Sequence, residues 1–156
     1  MKKTIIIGLG NPLRGDDAVG LRIARLLKER LADRMDIDVV EAYCGGIALV
    51  ETAIGYDRAI IVDAMAKKAG EPGTVFSFTP SPDICSRNSG SSHDASLCDA
   101  LSACCALGEA VPKEVFCWGI VPKDIESFSE SLTGEIAPMV TVVADQIIAK
   151  LNAEGE

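Results

Sequence analysis

A glycine-rich stretch close to the N-terminus constrains the fold of this chain more than any other feature. It occupies residues 8–20, with the sequence Gly-Leu-Gly-Asn-Pro-Leu-Arg-Gly-Asp-Asp-Ala-Val-Gly. The β-branched residues 4–7, Thr-Ile-Ile-Ile, precede it without polar alternation, which is typical of a strand buried on both faces of a parallel sheet. Apolar residues at helical spacing follow it from Val19 onward. A strand, a glycine-rich loop and a helix start, in this order, predict a ligand site at a strand end of an α/β protein.

Two adjacent carboxylates, Asp16 and Asp17, distinguish this loop from a nucleotide-binding loop. A dinucleotide fingerprint requires a glycine three residues after Gly10, where this chain has Leu13. Carboxylates at a helix start also repel phosphate, so the pair is suited to a cation instead. An N-cap role for Asp16 is the structural alternative, and it leaves Asp17 to be explained.

The apolar pattern predicts alternating strands and helices along the whole chain. Strands are predicted at residues 4–7, 36–43, 58–65, 74–79 and 114–121, and helices at 18–32, 47–54 and 131–151, with a further helix between the N-cap candidates Ser91 and Ser92 and the stop signal Gly108. The third and fourth strands are too close in sequence for a crossover helix, so the fourth is expected to be antiparallel, in the manner of a hairpin. This order predicts one domain over residues 1–156, folded as a three-layer α/β/α sandwich with a mostly parallel sheet.

Composition excludes several classes of protein. The net charge of −8 argues against nucleic acid and anionic membrane as partners, since both require a basic surface. No apolar run reaches transmembrane length, and the run before Gly8 is too short for a signal peptide, so a cytoplasmic location is expected. The six cysteines show no zinc spacing and are expected to be reduced and structural.

Two further positions complete a candidate metal site. Asp63 lies near the end of the second buried strand, and His93, the only histidine of the chain, follows a long irregular segment at 80–92. If the first and third strands are neighbours, Asp16, Asp17 and Asp63 face one crevice, and His93 joins them if the segment folds back over the strand ends. Two carboxylates and one imidazole suit a divalent first-row metal with positions left open for water or substrate.

Four segments of the chain together resemble the hydrogenase maturation endopeptidases. Residues 8–20 closely resemble the opening motif of that family, and Ile-Ile-Val-Asp-Ala at 60–64 resembles its second motif. Ser-Ser-His-Asp-Ala-Ser-Leu at 91–97 resembles the third motif, and Gly-Ile-Val-Pro at 119–122, followed by an acidic stretch and a helix, resembles the C-terminal part. The order and spacing of these segments fit over essentially the whole chain.

This resemblance implies a twisted five-stranded sheet between helices, with one antiparallel strand. It implies an endopeptidase that removes the C-terminal extension from the precursor of the large subunit of a nickel-containing hydrogenase, after nickel insertion. The metal-site residues of the family fall on Asp17, Asp63 and His93, which are the expected catalytic residues and metal ligands. The metal is then the nickel of the precursor or another divalent transition metal. Val121 stands where a polar residue is expected, which leaves the particular large subunit open.

Two mechanisms and two other functions remain open. A metal held by the three side chains polarises the scissile carbonyl or activates water; alternatively, the side chains engage the nickel of the precursor and place the scissile bond. A covalent mechanism is not favoured, because Ser91 and Ser92 beside His93 are the only nucleophile candidates and suit N-caps better. The alternative functions are a nickel-binding maturation chaperone without proteolytic activity and a small-molecule hydrolase on the same scaffold.

Overall fold

The computed structural model describes residues 2–80 and 97–155, and its elements follow the predicted alternation. The strands are β1 Thr4–Leu9, β2 Ile37–Ala42, β3 Arg58–Ala64, β4 Val75–Phe78 and β5 Glu114–Ile120. The helices are α1 Val19–Arg30, α2 Gly46–Ala53, α3 Leu97–Ala106 and α4 Met139–Ala153, with short 3-10 helices at Gly15–Ala18 and Lys67–Ala69. Within these described ranges, no helix is both long and apolar enough to cross a membrane.

The strands form one sheet in the order β2-β1-β3-β5-β4. The pairs β1–β2, β1–β3 and β3–β5 are parallel, and β4 is antiparallel to β5. The first and third strands are neighbours, which is the condition on which the shared strand-end site depended, with Gly8 opposite Val62. The polar second strand lies at an edge, also as predicted.

The fourth strand is antiparallel, as predicted, but it does not form a hairpin with the strand before it. Val75 of β4 pairs with Ile120 of β5, and β5 lies between β3 and β4. Both edges of β3 are occupied by parallel neighbours, which leaves no place for β4 beside it. Because adjacent strands are about 4.8 Å apart, the connection at 65–74 is long enough to pass one intervening strand.

Apolar side chains at alternating positions of the central strands form a core on each face of the sheet. Ile6 and Ile60 belong to the cluster that α1 and α4 cover. Ile7 and Ile61 belong to the cluster that α2 and α3 cover. This alternation confirms the three-layer arrangement, with the sheet between two pairs of helices.

The last helix begins later than the apolar stripe predicts. Residues 131–133 are irregular, residues 134–138 form turns, and α4 starts at Met139. Pro138 has no N–H and is suited to a helix start, while the N–H of Thr133 donates to the side chain of Asp16 at 2.8 Å instead of to a helical carbonyl. The prediction was therefore wrong over these residues, because Ile136 is buried without being helical.

The cysteines fulfil their predicted role only in part. Cys104 is a buried free thiol in α3, and Cys117 is buried in β5, where each acts as a small apolar residue. Cys44 and Cys105 are exposed free thiols. Cys98 is disulfide-bonded, so the expectation of reduced thiols is wrong for this residue.

Candidate functional site

The central parallel strands have their carboxyl ends on the same side of the sheet, which we call the carboxyl edge. The described site residues lie there. β1 ends at Leu9 and leads into the 3-10 helix that carries Asp16 and Asp17. Asp63 is the last residue but one of β3 and pairs in register with Gly119 of β5. The 3-10 helix also contacts β3, so the elements that carry Asp17 and Asp63 lie at the same edge.

Glycines allow the start of α1 to lie directly against β1 and β3. A Cβ on Gly20 would stand 2.4 Å from the carbonyl oxygen of Val62 and 2.5 Å from that of Leu9. A Cβ on Gly8 would stand 2.2 Å from the carbonyl oxygen of Gly20. No side chain fits at these distances, so both positions require glycine. This close crossing of α1 over β1 and β3 fixes the position of the 3-10 helix relative to Asp63.

Asp17 is half-buried, and the loop before it fixes the direction of its carboxylate. The backbone N–H of Asn11 donates to Asp17 Oδ2 at 3.0 Å. Gly10 makes this approach feasible, because a Cβ there would lie 2.1 Å from the carbonyl oxygen of Asp17. The side chain of Asn11 in turn accepts the N–H of Leu13 at 3.0 Å, which closes the loop as an Asx turn.

Asp63 is buried, with 6% of its surface exposed, and it faces the layer formed by α2 and α3. It lines a cavity of about 20 Å³ together with Leu9, Trp118 and Leu97. A cavity of this size holds a group as large as one water molecule. A carboxylate in such low-dielectric surroundings interacts strongly with a cation.

His93 lies outside the described residues, as do the N-cap candidates Ser91 and Ser92. Across residues 2–80 and 97–155, no three His, Cys, Asp or Glu side chains are grouped so that they could hold a metal ion. The set of Asp17, Asp63 and His93 therefore stays a prediction. Its two carboxylates fit a metal-engaging site by donor type and by their common edge.

Asp16 has a role that the sequence did not predict. Ala18 is the N-cap of α1, and no side chain caps that helix, so the N-cap alternative for Asp16 was wrong. Its fully buried carboxylate instead accepts hydrogen bonds from Lys123, Asp124 and Thr133. These donors are 107 to 117 residues further along the chain, and no local pattern marks such a contact.

The segment after β5, residues 121–133, which we call the β5 loop, closes over the first loop. The N–H of Gly15 donates to the carbonyl of Ser129, and the N–H of Ser129 donates to that of Leu13, both at 2.9 Å. Within the β5 loop, the Ser127 hydroxyl and the N–H groups of Ser127 and Glu126 lower the pKa of Asp124 from 3.8 to about 2. The carboxyl edge is therefore built from two loops that are far apart in sequence.

Comparisons with known sequences agree with the motifs. Residues 21–150 match the model of the HycI hydrogenase maturation protease family. The hydrogenase 2 maturation protease of Escherichia coli (strain K12) is 29% identical over 155 residues, which cover 98% of this chain and 93% of that protein. The hydrogenase expression/formation protein HoxM of Azotobacter vinelandii is 30% identical over 130 residues, or 82% of this chain and 62% of that protein.

Comparisons with solved structures agree with the fold. The hydrogenase maturating endopeptidase HybD from E. coli has a TM-score of 0.81 and 28% identity, over 98% of this chain and 94% of that chain. The [NiFe] hydrogenase maturation protease HybD from Thermococcus kodakarensis has a TM-score of 0.73 and 28% identity, over 96% of this chain and 98% of that chain. The fold and the peptidase class expected from the motifs are thereby confirmed. Family model, sequence relatives and fold agree, and the chain belongs to the hydrogenase maturation proteases.

Proposed function

We propose that this peptidase removes the C-terminal extension from the precursor of the large subunit of a nickel-containing hydrogenase, after nickel has been inserted. The observation that supports the proposal is that the 3-10 helix carrying Asp17 contacts the strand that carries Asp63 near its end, with each residue at its motif position. The names of the relatives support a role in hydrogenase maturation. We place the reaction in the cytoplasm, the location expected from the sequence.

We assign Asp17, Asp63 and His93 to catalysis and to engagement of the metal. Leu97, the first residue of α3, lines the same cavity as Asp63. The four residues of chain from His93 to Leu97 span about 14 Å at most, a length that allows the imidazole to join the two carboxylates. Mixed oxygen and nitrogen donors of this kind suit nickel and other divalent first-row metals.

The nickel in this proposal belongs to the substrate. Asp17 and Asp63 offer carboxylate oxygens, and His93 offers an imidazole nitrogen, to coordination positions that the precursor leaves open. A metal at this edge supplies a Lewis acid beside the scissile carbonyl. The orientation of Asp17 by the Asn11 N–H fixes one of these donors before the substrate arrives, which lowers the cost of placing the scissile bond.

The cavity beside Asp63 is too small to enclose a small-molecule substrate by itself. Pockets that enclose small ligands usually exceed about 300 Å³. The cavity beside Asp63 in the described part of the chain has about 20 Å³, enough for one small group. A precursor tail that binds along the edge and inserts a single group is consistent with this volume.

The test is a processing assay with the cognate large-subunit precursor, prepared with and without nickel. The mass of the product identifies the peptide removed. We expect cleavage only of the nickel-loaded form, and a loss on the order of 100-fold or more for Asp17→Asn, Asp63→Asn and His93→Ala. Asp33→Asn, an exposed carboxylate beyond the far end of α1, serves as the matched control and keeps the wild-type rate.

Two results of this assay would contradict the proposal. A nickel-loaded precursor that wild-type protein binds but leaves uncut would favour the chaperone function. Equal cleavage of the nickel-free precursor, with added divalent metal restoring activity after chelation, would place the metal in the peptidase instead of the substrate.

A further inference from the structure

The carboxylate of Asp16 is fully buried, and no step of the proposed reaction uses it. Oδ2 accepts the N–H groups of Lys123 and Asp124, both at 3.0 Å, and the hydroxyl of Thr133 at 2.8 Å. Oδ1 accepts the N–H of Thr133 at 2.8 Å. All four donors belong to the β5 loop, and none belongs to the 3-10 helix that carries Asp16.

This arrangement of donors is specific for a carboxylate. An amide at position 16 would direct its NH₂ group toward the N–H of Thr133 in one orientation, and toward those of Lys123 and Asp124 in the other. Either orientation sets donor against donor. A buried carboxylate that accepts several N–H groups forms charge-assisted hydrogen bonds, which are stronger than those between neutral groups.

The backbone of Asp16 and of the residue before it is held by the same loop. The N–H of Asp16 donates to the carbonyl of Asp124, and that of Gly15 to the carbonyl of Ser129, both at 2.9 Å. Gly15 has a φ of +55°, and a Cβ there would lie 2.8 Å from the carbonyl oxygen of Asp124. The Cα of Asp17 follows that of Asp16 by about 3.8 Å, so movement of one displaces the other.

We propose that Asp16 is a positioning residue of the peptidase: it ties the 3-10 helix to the β5 loop and so holds the Asp17 carboxylate in its catalytic place. The inference rests on the proposed function, which assigns Asp17 its role. Asp16 acts through its neighbour and contacts neither substrate nor metal.

Three substitutions test this link between the 3-10 helix and the β5 loop. Each is made in the full chain and assayed with the nickel-loaded precursor. Asp16→Asn removes the carboxylate, and a displacement of Asp17 by about 1 Å lowers kcat/KM on the order of 100-fold. Thr133→Val removes only the hydroxyl donor and lowers kcat/KM by about tenfold. Thr133→Ser keeps both donors of residue 133 and retains the wild-type rate, a rescue that the loss of side-chain packing alone does not predict.

A destabilised variant remote from the edge serves as the control. Leu31→Ala alters a buried residue just beyond the other end of α1 and lowers stability without touching the carboxyl edge. All variants are assayed at a temperature where circular dichroism shows each to be folded. If Asp16→Asn and Thr133→Val lose no more activity than Leu31→Ala, the role of Asp16 is only structural, and the proposal is overturned.

The remaining outcomes separate this inference from the proposed function. If Asp16→Asn does not fold, the contrast between Thr133→Val and Thr133→Ser decides. Cleavage by wild-type protein and by both Asp16→Asn and Thr133→Val at equal rates would overturn the inference alone. A cognate precursor left uncut by wild-type protein would overturn the proposed function, and the inference with it.

Discussion

At the scale of single residues, the carboxyl edge is held by carboxylates that accept backbone N–H groups. Asp16 accepts them from the β5 loop, Asp17 from Asn11, and Asp124 from Glu126 and Ser127. At Asp124 these bonds lower the pKa and favour the ionised form of the carboxyl group. The loops around the candidate site therefore depend on charge in a way that the apolar cores do not.

Asp124 should make the stability of the protein depend on pH in the acid range. Its pKa in the folded state is lowered to about 2, below the usual 3.8, so the stabilisation is complete above pH 4 or so and is lost as the pH falls toward 2. Asp124→Asn keeps an acceptor oxygen but has no charge to neutralise, so its free energy of unfolding should fall less over this range. Urea unfolding at about pH 4 and about pH 2 measures the difference.

Asp33→Asn is the control for this comparison, because Asp33 is exposed and lies far from the β5 loop. It should show the same acid-induced fall as wild-type protein. An equally large fall in Asp124→Asn would mean that the charge of Asp124 contributes nothing to the acid response.

At the scale of elements, the crossing of α1 over β1 and β3 determines where the candidate site lies. Gly8 and Gly20 let the helix start touch the strands, and the 3-10 helix before it is carried to the edge beside Asp63. A larger residue at the crossing would push these elements apart. The same displacement would change both the stability of the fold and the position of Asp17.

Gly20→Ala should therefore be among the more damaging single substitutions in the chain. The added methyl group would lie 2.4 Å from the carbonyl oxygen of Val62, and we expect a loss of about 3 kcal/mol in the free energy of unfolding. Gly134→Ala is the matched control: nothing lies within 4 Å of its Cβ, and its effect should be about 0.5 kcal/mol or less. Denaturant unfolding of both variants tests this, and similar values for the two would contradict the steric argument.

At the scale of the whole molecule, the two ends of the sheet have different tasks. The carboxyl edge carries the candidate site. The opposite end, where the parallel strands begin and which we call the amino edge, carries ion pairs that join distant elements. Buried Arg58, at the start of β3, pairs with Glu114 of β5 and with Glu154, the residue after α4. Lys2 also pairs with Glu114, but from an exposed position.

Arg58→Ala should lower stability without lowering the rate of processing. The loss of a buried guanidinium with two partly exposed partners should cost about 2 kcal/mol. Lys2→Ala removes an exposed partner of the same glutamate and should cost about 0.5 kcal/mol or less. Thermal unfolding, together with the processing assay at a temperature where both variants are folded, tests this division. A selective loss of activity in Arg58→Ala would show that the amino edge also serves the reaction.

How well the sequence predicted each feature depends on how far apart in the chain the interacting residues lie. β1 and β3 were predictable because burial on both faces leaves a continuous apolar run, and the place of Asp63 near the end of β3 followed from that run. The assignment of Asp17, Asp63 and His93 to the site came from the family motifs and stays a prediction. The strand that pairs with β4 was not predictable, since the length of the connection from β3 to β4 does not tell whether the edges of β3 are already occupied. The hydrogen bonds between Asp16 and the β5 loop were not predictable either, because they join residues more than half the chain apart.

The order of the sheet also bears on how the chain is made on the ribosome. β5 lies between β3 and β4 but is synthesised after both. While residues 114–120 are still inside the ribosome, β3 has an open edge and β4 lacks the strand with which it pairs. The sheet closes only when β5 emerges and inserts between them, so about three quarters of the chain is exposed to chaperones and to misassembly before the fold can be completed.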